Sequence, residues 1–364
     1  MSRAKLTLSI CSDGENWRLW DEFLSVTKRG IYLQSSDWLK SYKAYGFQSF
    51  LILAKNAQGS ILGGMGVVLA QTGPFKVLIC PYGPILNESD PYLYQSLIEE
   101  FKMEGKRKGA FLAQISLPFD VQNTGCFPDH FISNELSELN ISESGKGVLF
   151  KYVTGIDGVR AVKLNYEGKG YDPVFENYNS GCRRNVRKSS TFGHEFLLAE
   201  EEKEIREAYA VIEANAENQG YAIRTWEEFG PTLLDMVKNG ACLIAFCKNQ
   251  DQIKGALVVF QFGKKMHYIM GGTLREEVDQ KVGHFLHDQI IRLGVAKGFD
   301  FYDISMGGSD GVVRFKEGFG GQVIPLNDTR YWILKPGYFW IYQKLMPFVQ
   351  RNKRVIASLL SKSR

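Results

Sequence analysis

The sequence predicts a mixed α/β fold in two lobes, each a copy of one pattern. Two observations predict it: a hairpin signature that occurs twice, and a helix-then-strand signature that follows it both times. Length agrees, because 364 residues exceed what one hydrophobic core usually supports.

The first hairpin is Phe50–Gln71 (FLILAKNAQGSILGGMGVVLAQ), an apolar run that breaks at a turn around Asn56–Gly59 and resumes as a second apolar run. Cys242–Phe262 (CLIAFCKNQDQIKGALVVFQF) repeats the order of strand, Lys-Asn turn and Gly-containing strand. Tyr94–Lys108 then has helical apolar spacing and leads into KGAFLAQIS, while His284–Lys297 leads likewise into KGFDFYDIS. Each copy reads as hairpin, helix and buried strand, with the helix crossing over to a parallel strand. Hairpins and Lys-Gly turns coincide by chance in some sequences. Two matches in the same order and at similar separation favour duplication instead.

A Gly-rich polar passage, Ser137–Gly170, separates the copies. Residues 1–150 are therefore expected to form one domain, 151–330 a second, and 331–364 a basic, aromatic, helical tail. An acidic helix is expected over Glu200–Asn218, with Ile205, Tyr209, Ile212 and Ala216 on one face.

Composition is that of an ordinary globular protein, 44% apolar and 23% charged. Met1–Ile10 lacks the apolar stretch of a secretory signal, and no run is long enough to span a bilayer. The six cysteines are scattered without metal or redox spacing, so a reducing cytoplasm is expected. Residues 329–364 hold eight cations and no acid; subtracting those eight from the net +4 leaves −4 for the rest. The tail mixes aromatics with these cations and ends in VIASLL. Three readings stay open for it: peripheral contact with an anionic membrane, packing on the second lobe, or contact with RNA.

Five landmarks, YLQSSDW (Tyr32–Trp38), PYGPIL (Pro81–Leu86), YNSGCRRNVRKS (Tyr178–Ser189), FYDISMGG (Phe301–Gly308) and RFKEGFGG (Arg314–Gly321), stand in one order across nearly the whole chain. Together they resemble the FemABX family of peptidoglycan aminoacyltransferases. The resemblance implies two tandem GNAT-like domains, of the acyl-CoA N-acyltransferase type. It also implies transfer of an amino acid from aminoacyl-tRNA to the peptide of a nucleotide- or lipid-linked peptidoglycan precursor. The helix after Glu200 runs straight to Gly220, so this resembles a member without the long helical arm.

Lys316 lies between Phe315 and Phe319 beside glycines, and matches the lysine that the family places beside the transferred group. A fixed cation in a dry pocket stabilises the oxyanion of ester aminolysis. Asp303 ends a strand and either accepts the amine proton or caps the following loop. Tyr268 matches a family tyrosine near the reacting centre, or it packs. Arg183, Arg184, Arg187 and Lys188 suit phosphate oxygens, or a solvated helix face. By resemblance, Arg224 meets the acceptor's phosphates, and Lys40, Tyr42, Tyr82 and Phe315 line substrate. Two departures point to an altered acceptor: Leu117-Pro118 replaces the family's Asp-Pro, with Asp120 nearby but displaced, and Tyr42 stands where some relatives have lysine.

No metal and no cofactor is expected beyond aminoacyl-tRNA as co-substrate. Coenzyme A belongs to an alternative, acyl transfer to a cell-envelope sugar or lipid precursor, for which the QKVGHF segment (Gln280–Phe285) offers a weak pyrophosphate cradle. A second alternative is a catalytically silent duplicate that binds precursor or tRNA.

Overall fold

The computed structural model describes residues 7–27, 30–88, 90–116, 158–221, 223–325 and 329–351. The first lobe runs β1 (Thr7–Cys11), α1 (Gly14–Val26), α2 (Ser36–Ser41), β2 (Gln48–Lys55), β3 (Ile61–Thr72), β4 (Phe75–Cys80), β5 (Ile85–Leu86), α3 (Pro91–Arg107) and β6 (Leu112–Ser116). The second runs β7 (Gly158–Lys163), α4 (Asp172–Glu176), α5 (Ser180–Ser189), β8 (Glu195–Leu198), α6 (Glu202–Gln219) and α7 (Trp226–Lys238). It continues through β9 (Cys242–Asn249), β10 (Gln252–Phe262), β11 (Lys265–Thr273), α8 (Val282–Ala296), β12 (Phe301–Asp303), α9 (Asp310–Glu317) and β13 (Gln322–Pro325). Strand β14 (Thr329–Ile333) and helix α10 (Pro336–Arg351) follow.

The described residues form two seven-stranded mixed sheets, ordered β1-β2-β3-β4-β6-β14, with β5 beside β3, and β13-β7-β12-β11-β10-β9-β8. The series β1, two helices, β2-β3-β4 meander, α3 and parallel β6 recurs as β8, two helices, β9-β10-β11 meander, α8 and parallel β12. The hairpins read from sequence are β2–β3 and β9–β10. The crossovers are right where apolar periodicity put them: α3 starts on Pro91, with the Asp90 carboxylate accepting from the Leu93 amide at 3.1 Å. Helix α6 is opened by a Glu201/Glu204 capping box and closed by Gly220 at φ 72°, and it buries Ile205, Tyr209, Ile212 and Ala216. No helical arm extends from α6 or α7 among the described residues.

The second lobe does not keep the whole chain after its last strand. Strand β14 returns to the first sheet and pairs antiparallel with β6, from Thr329 opposite Ser116 to Ile333 opposite Leu112. The domain limit expected at 330 falls inside this strand, and the limit at 150 lies outside the described residues, as do Leu117, Pro118 and Asp120. Helix α10 then packs on the first lobe, where Tyr342 meets Phe111 and Phe75 at ring distances of 5.0 and 5.5 Å.

One core crosses between the lobes, joining Trp17, Trp20, Tyr32 and Leu39 to Tyr209, Phe229, Ile244 and Phe260. Each fully buried aromatic there contributes on the order of 2–3 kcal/mol, so the lobes hold each other by apolar burial. The Lys265 ammonium adds a 2.5 Å hydrogen bond to the Gly30 carbonyl. Because β14 completes the first sheet, a chain ending at Asp328 should expose the β6 edge and uncover Phe111. Hydrogen exchange should then show lost protection in β4 and β6 while β9–β11 stay protected.

Candidate active site

Strands β11 and β12 run parallel for only three residue pairs, Lys265–Phe301, Met266–Tyr302 and His267–Asp303. Beyond that point β12 turns away and β11 continues to Thr273, so the sheet forks. A bulge at the start of the unpaired stretch, where Val258 faces Met270 but Val259 faces Tyr268, leaves Ile269 extra and re-aims its neighbours. The fork opens a cavity of about 460 Å³, walled by Tyr268 and Gly271–Thr273 of β11, by Gly283, His284 and His287 of α8, and by Phe315 and Lys316 of α9.

Lys316 is on the last turn of helix α9 and not on a loop, and it is only 5% exposed. Its ammonium donates to the Ser305 hydroxyl at 2.8 Å and to the Gly307 carbonyl at 2.7 Å, 5.3 Å from the Tyr268 ring. That uses two of three N–H groups, and among the described residues no third acceptor is found. Burial outweighs the attraction of Asp303 and lowers the Lys316 pKa to about 8. The result is a desolvated cation with a spare donor at a cavity wall.

Asp303 lies behind this arrangement. One carboxylate oxygen accepts the amides of Arg160 (2.9 Å) and Ser305 (2.8 Å), and the other faces His267 Nδ1 at 3.3 Å. Ser305 has φ 68°, a left-handed backbone that a serine holds only when it is fixed from outside, and the Asp303 carboxylate fixes it. Of the two readings open in the sequence, the geometry is that of the loop cap: Asp303 is buried, is absent from the cavity wall, and positions Ser305, which positions Lys316.

A second group forms where the lobes meet. Arg224 donates to the Ser41 hydroxyl at 3.2 Å and lies over the rings of Phe229, Tyr45, Tyr42 and Trp38 at 4.7, 4.9, 5.3 and 5.8 Å. No carboxylate pairs with it in the ion pairs found among the described residues. Lys40 borders an adjoining cavity of about 590 Å³ between α2 and α7. The Lys316 cavity is walled wholly by the second lobe, whereas the cavity between α2 and α7 is lined from both lobes, by Lys40 and Lys43 with Asp37, Glu227, Glu228 and Asp235, and Arg224 stands beside it behind Ser41.

A sequence profile described as the FemAB family matches residues 18–244, more than half the chain. The chain belongs to the FemAB family. A second profile, described as an acetyltransferase (GNAT) domain, matches residues 177–317, which takes in α8 and α9. Among solved structures, this FemAB protein is similar to that of FemX, with a TM-score of 0.77 at 14% identity over 92% of this chain and all of the other. It also resembles L-PGS from Bacillus licheniformis (TM-score 0.53, 12% identity, 92% and 98% covered). A tandem GNAT protein from the clavulanic acid biosynthesis pathway is a further neighbour (0.53, 10%, 90% and 98%). No curated protein matches the sequence. The family and the fold make this an acyltransferase with two GNAT-like domains.

Other expected FemAB site residues fall elsewhere. Tyr82 is buried in the core that crosses between the lobes, and Tyr42 is buried beneath Arg224. Arg183 turns back onto the carbonyls of Glu176 (2.8 Å) and Tyr178 (2.6 Å), while Arg184, Arg187 and Lys188 stay exposed on α5. The Gln280–Phe285 segment borders the Lys316 cavity, and no side chain caps the first turn of α8, so its amides are available to phosphate.

Two histidines were assigned no role by the sequence. His287 Nδ1 is 2.8 Å from the Tyr302 hydroxyl and its ring lies on the cavity wall; burial holds its pKa at about 3, so it is neutral. His267, also lowered by burial, faces the first lobe with its ring 4.6 Å from that of Tyr32, and its Nε2 has no partner among the described residues. Alternation is the signal: His267 and Tyr268 are neighbours on one strand and point to opposite faces. Asp303→Asn should lower the melting temperature by the equivalent of roughly 1–3 kcal/mol, the cost of weakening buried charge-assisted bonds. Its turnover should fall much less than that of a Lys316 variant; an equal fall would mark Asp303 as the proton acceptor.

Proposed function

We propose that this protein moves an amino acid from aminoacyl-tRNA to the amine of a nucleotide- or lipid-linked peptidoglycan precursor peptide. The observation that supports this reading best is the Lys316 ammonium, buried, held by Ser305 and Gly307, with one N–H left toward the cavity. The acceptor amine attacks the ester carbonyl, the carbonyl π electrons move onto oxygen, and Lys316 donates to that oxygen as its charge builds. Collapse of the tetrahedral adduct breaks the bond to the terminal ribose, whose oxygen takes up the proton lost by the amine. Phe315 and Tyr268 shield the centre from water, which strengthens the lysine's effect. Lys40 and Arg224, on Tyr42, take the acceptor's phosphates, and Arg184, Arg187 and Lys188 face the tRNA backbone.

One observation favours a second reading, acyl transfer from coenzyme A to an envelope sugar or lipid precursor: the uncapped start of α8 at the cavity rim suits a pyrophosphate. Incubation with charged tRNA and nucleotide-linked muropeptide should give label transfer that ribonuclease abolishes, whereas transfer from acyl-CoA alone would establish the second reading. Lys316→Met should reduce turnover roughly 100- to 1,000-fold, the cost of one oxyanion donor. An unchanged turnover would overturn the role of Lys316, whereas ligand binding with no turnover in the unaltered protein would leave only a silent binding duplicate.

The rate should also depend on pH in a defined direction. Lys316 is charged below its pKa of about 8 and loses its proton above it, while His284 and His287, held at about 4 and 3, do not titrate near neutrality. Once ionisation of the substrate amine is allowed for, kcat/KM should fall about tenfold per pH unit above 8. Lys316→Arg should remove that fall, which a pH–rate profile of both proteins would measure.

A further inference from the structure

We propose that the outward face of α10 docks on an anionic lipid bilayer. The inference is independent of the donor and acceptor proposed above. Helix α10 packs on the first lobe through Phe339 and Tyr342, against Phe111. The opposite side leaves Trp340 61% exposed and also exposes Ile341 and Leu345, while Tyr338, whose ring meets Phe75 at 6.4 Å, is exposed at the edge of the packed face. Tyr338, Ile341 and Leu345 follow the three- and four-residue spacing of one helical stripe, with Trp340 beside it.

Cations flank this stripe. Lys344 lies 5.5 Å from the Trp340 ring and Lys335 5.6 Å from the Tyr338 ring. Lys335 also donates to the Gly109 carbonyl at 3.0 Å, which brings the start of α10 to the end of α3, where Lys106 is exposed. Nothing acidic follows Asp328 in the sequence. Residues 329–364 carry eight positive charges while the rest, +4 less those eight, carries −4. An anionic surface therefore attracts this end of the sequence more than the rest of it, which favours contact through α10. Apolar rings between lysines match the boundary of headgroup and acyl chain, whereas RNA needs only the cations and a second copy would oppose like charges.

The test uses the full chain and vesicles of phosphatidylcholine with and without phosphatidylglycerol. The protein should sediment with the anionic vesicles and not with the neutral ones, and brominated acyl chains should quench fluorescence that Trp340→Phe removes. Changing Trp340, Ile341 and Leu345 together to Ser should weaken sedimentation at least tenfold, as should Lys335→Glu with Lys344→Glu. Unchanged melting temperatures would establish that these exposed substitutions leave the fold intact. Absence of sedimentation, equal binding by the variants, or binding to neutral vesicles overturns the proposal. So does a dimer in solution that the serine variant dissociates, or tRNA binding lost in the variants without any vesicle binding.

Discussion

The site depends on the early parting of two parallel strands. β12 stops pairing with β11 at Asp303, and everything chemical in the second lobe is arranged around the gap. A continuous ladder there would satisfy the backbone of β11 through Thr273 and leave no room for a side chain between the strands. The fork instead admits the end of α9, and the strand that turns away supplies, through Asp303, the carboxylate that fixes the loop leading to it. Geometry and chemistry thus share one cause.

That cause also explains why an ammonium tolerates so little water. An isolated lysine loses several kcal/mol of solvation on burial, which a hydroxyl and a carbonyl only partly replace. A cation that lacks one partner gains more from a developing oxyanion than a solvated one does, which is the physical basis of the role proposed for Lys316. The neutral imidazole of His287 on the same wall adds shape and a polar edge without adding competing charge.

Much of the fold was legible in the sequence because the hairpins and crossovers are long enough for periodicity to speak. β2, β3, β9 and β10 have eight to twelve residues each, and α6 buries the four positions its spacing indicates. Strands β7, β13 and β14 have six, four and five, too few for alternation to be distinguished from loop, so the return of β14 to the first sheet was invisible. Lys316 was found through a family motif; propensity alone assigns a lysine to the surface, since its burial comes from tertiary contacts of α9. Arg183 was grouped with its neighbours because spacing reports the helix face and not the carbonyls that a long side chain reaches behind it. Tyr82 illustrates the same limit: adjacency to a motif does not reveal which way a ring points.

The return of β14 has a consequence for how the chain is made. Translation delivers the first lobe's β1 to β6 long before the segment that covers the β6 edge, which is separated from it by the whole second lobe. The nascent first lobe must therefore wait with an open ladder, at the stage when unpaired edges most readily find wrong partners. Closure comes only once Thr329–Ile333 has followed the whole second lobe off the ribosome, so the first lobe cannot complete its sheet in the order in which it is synthesised.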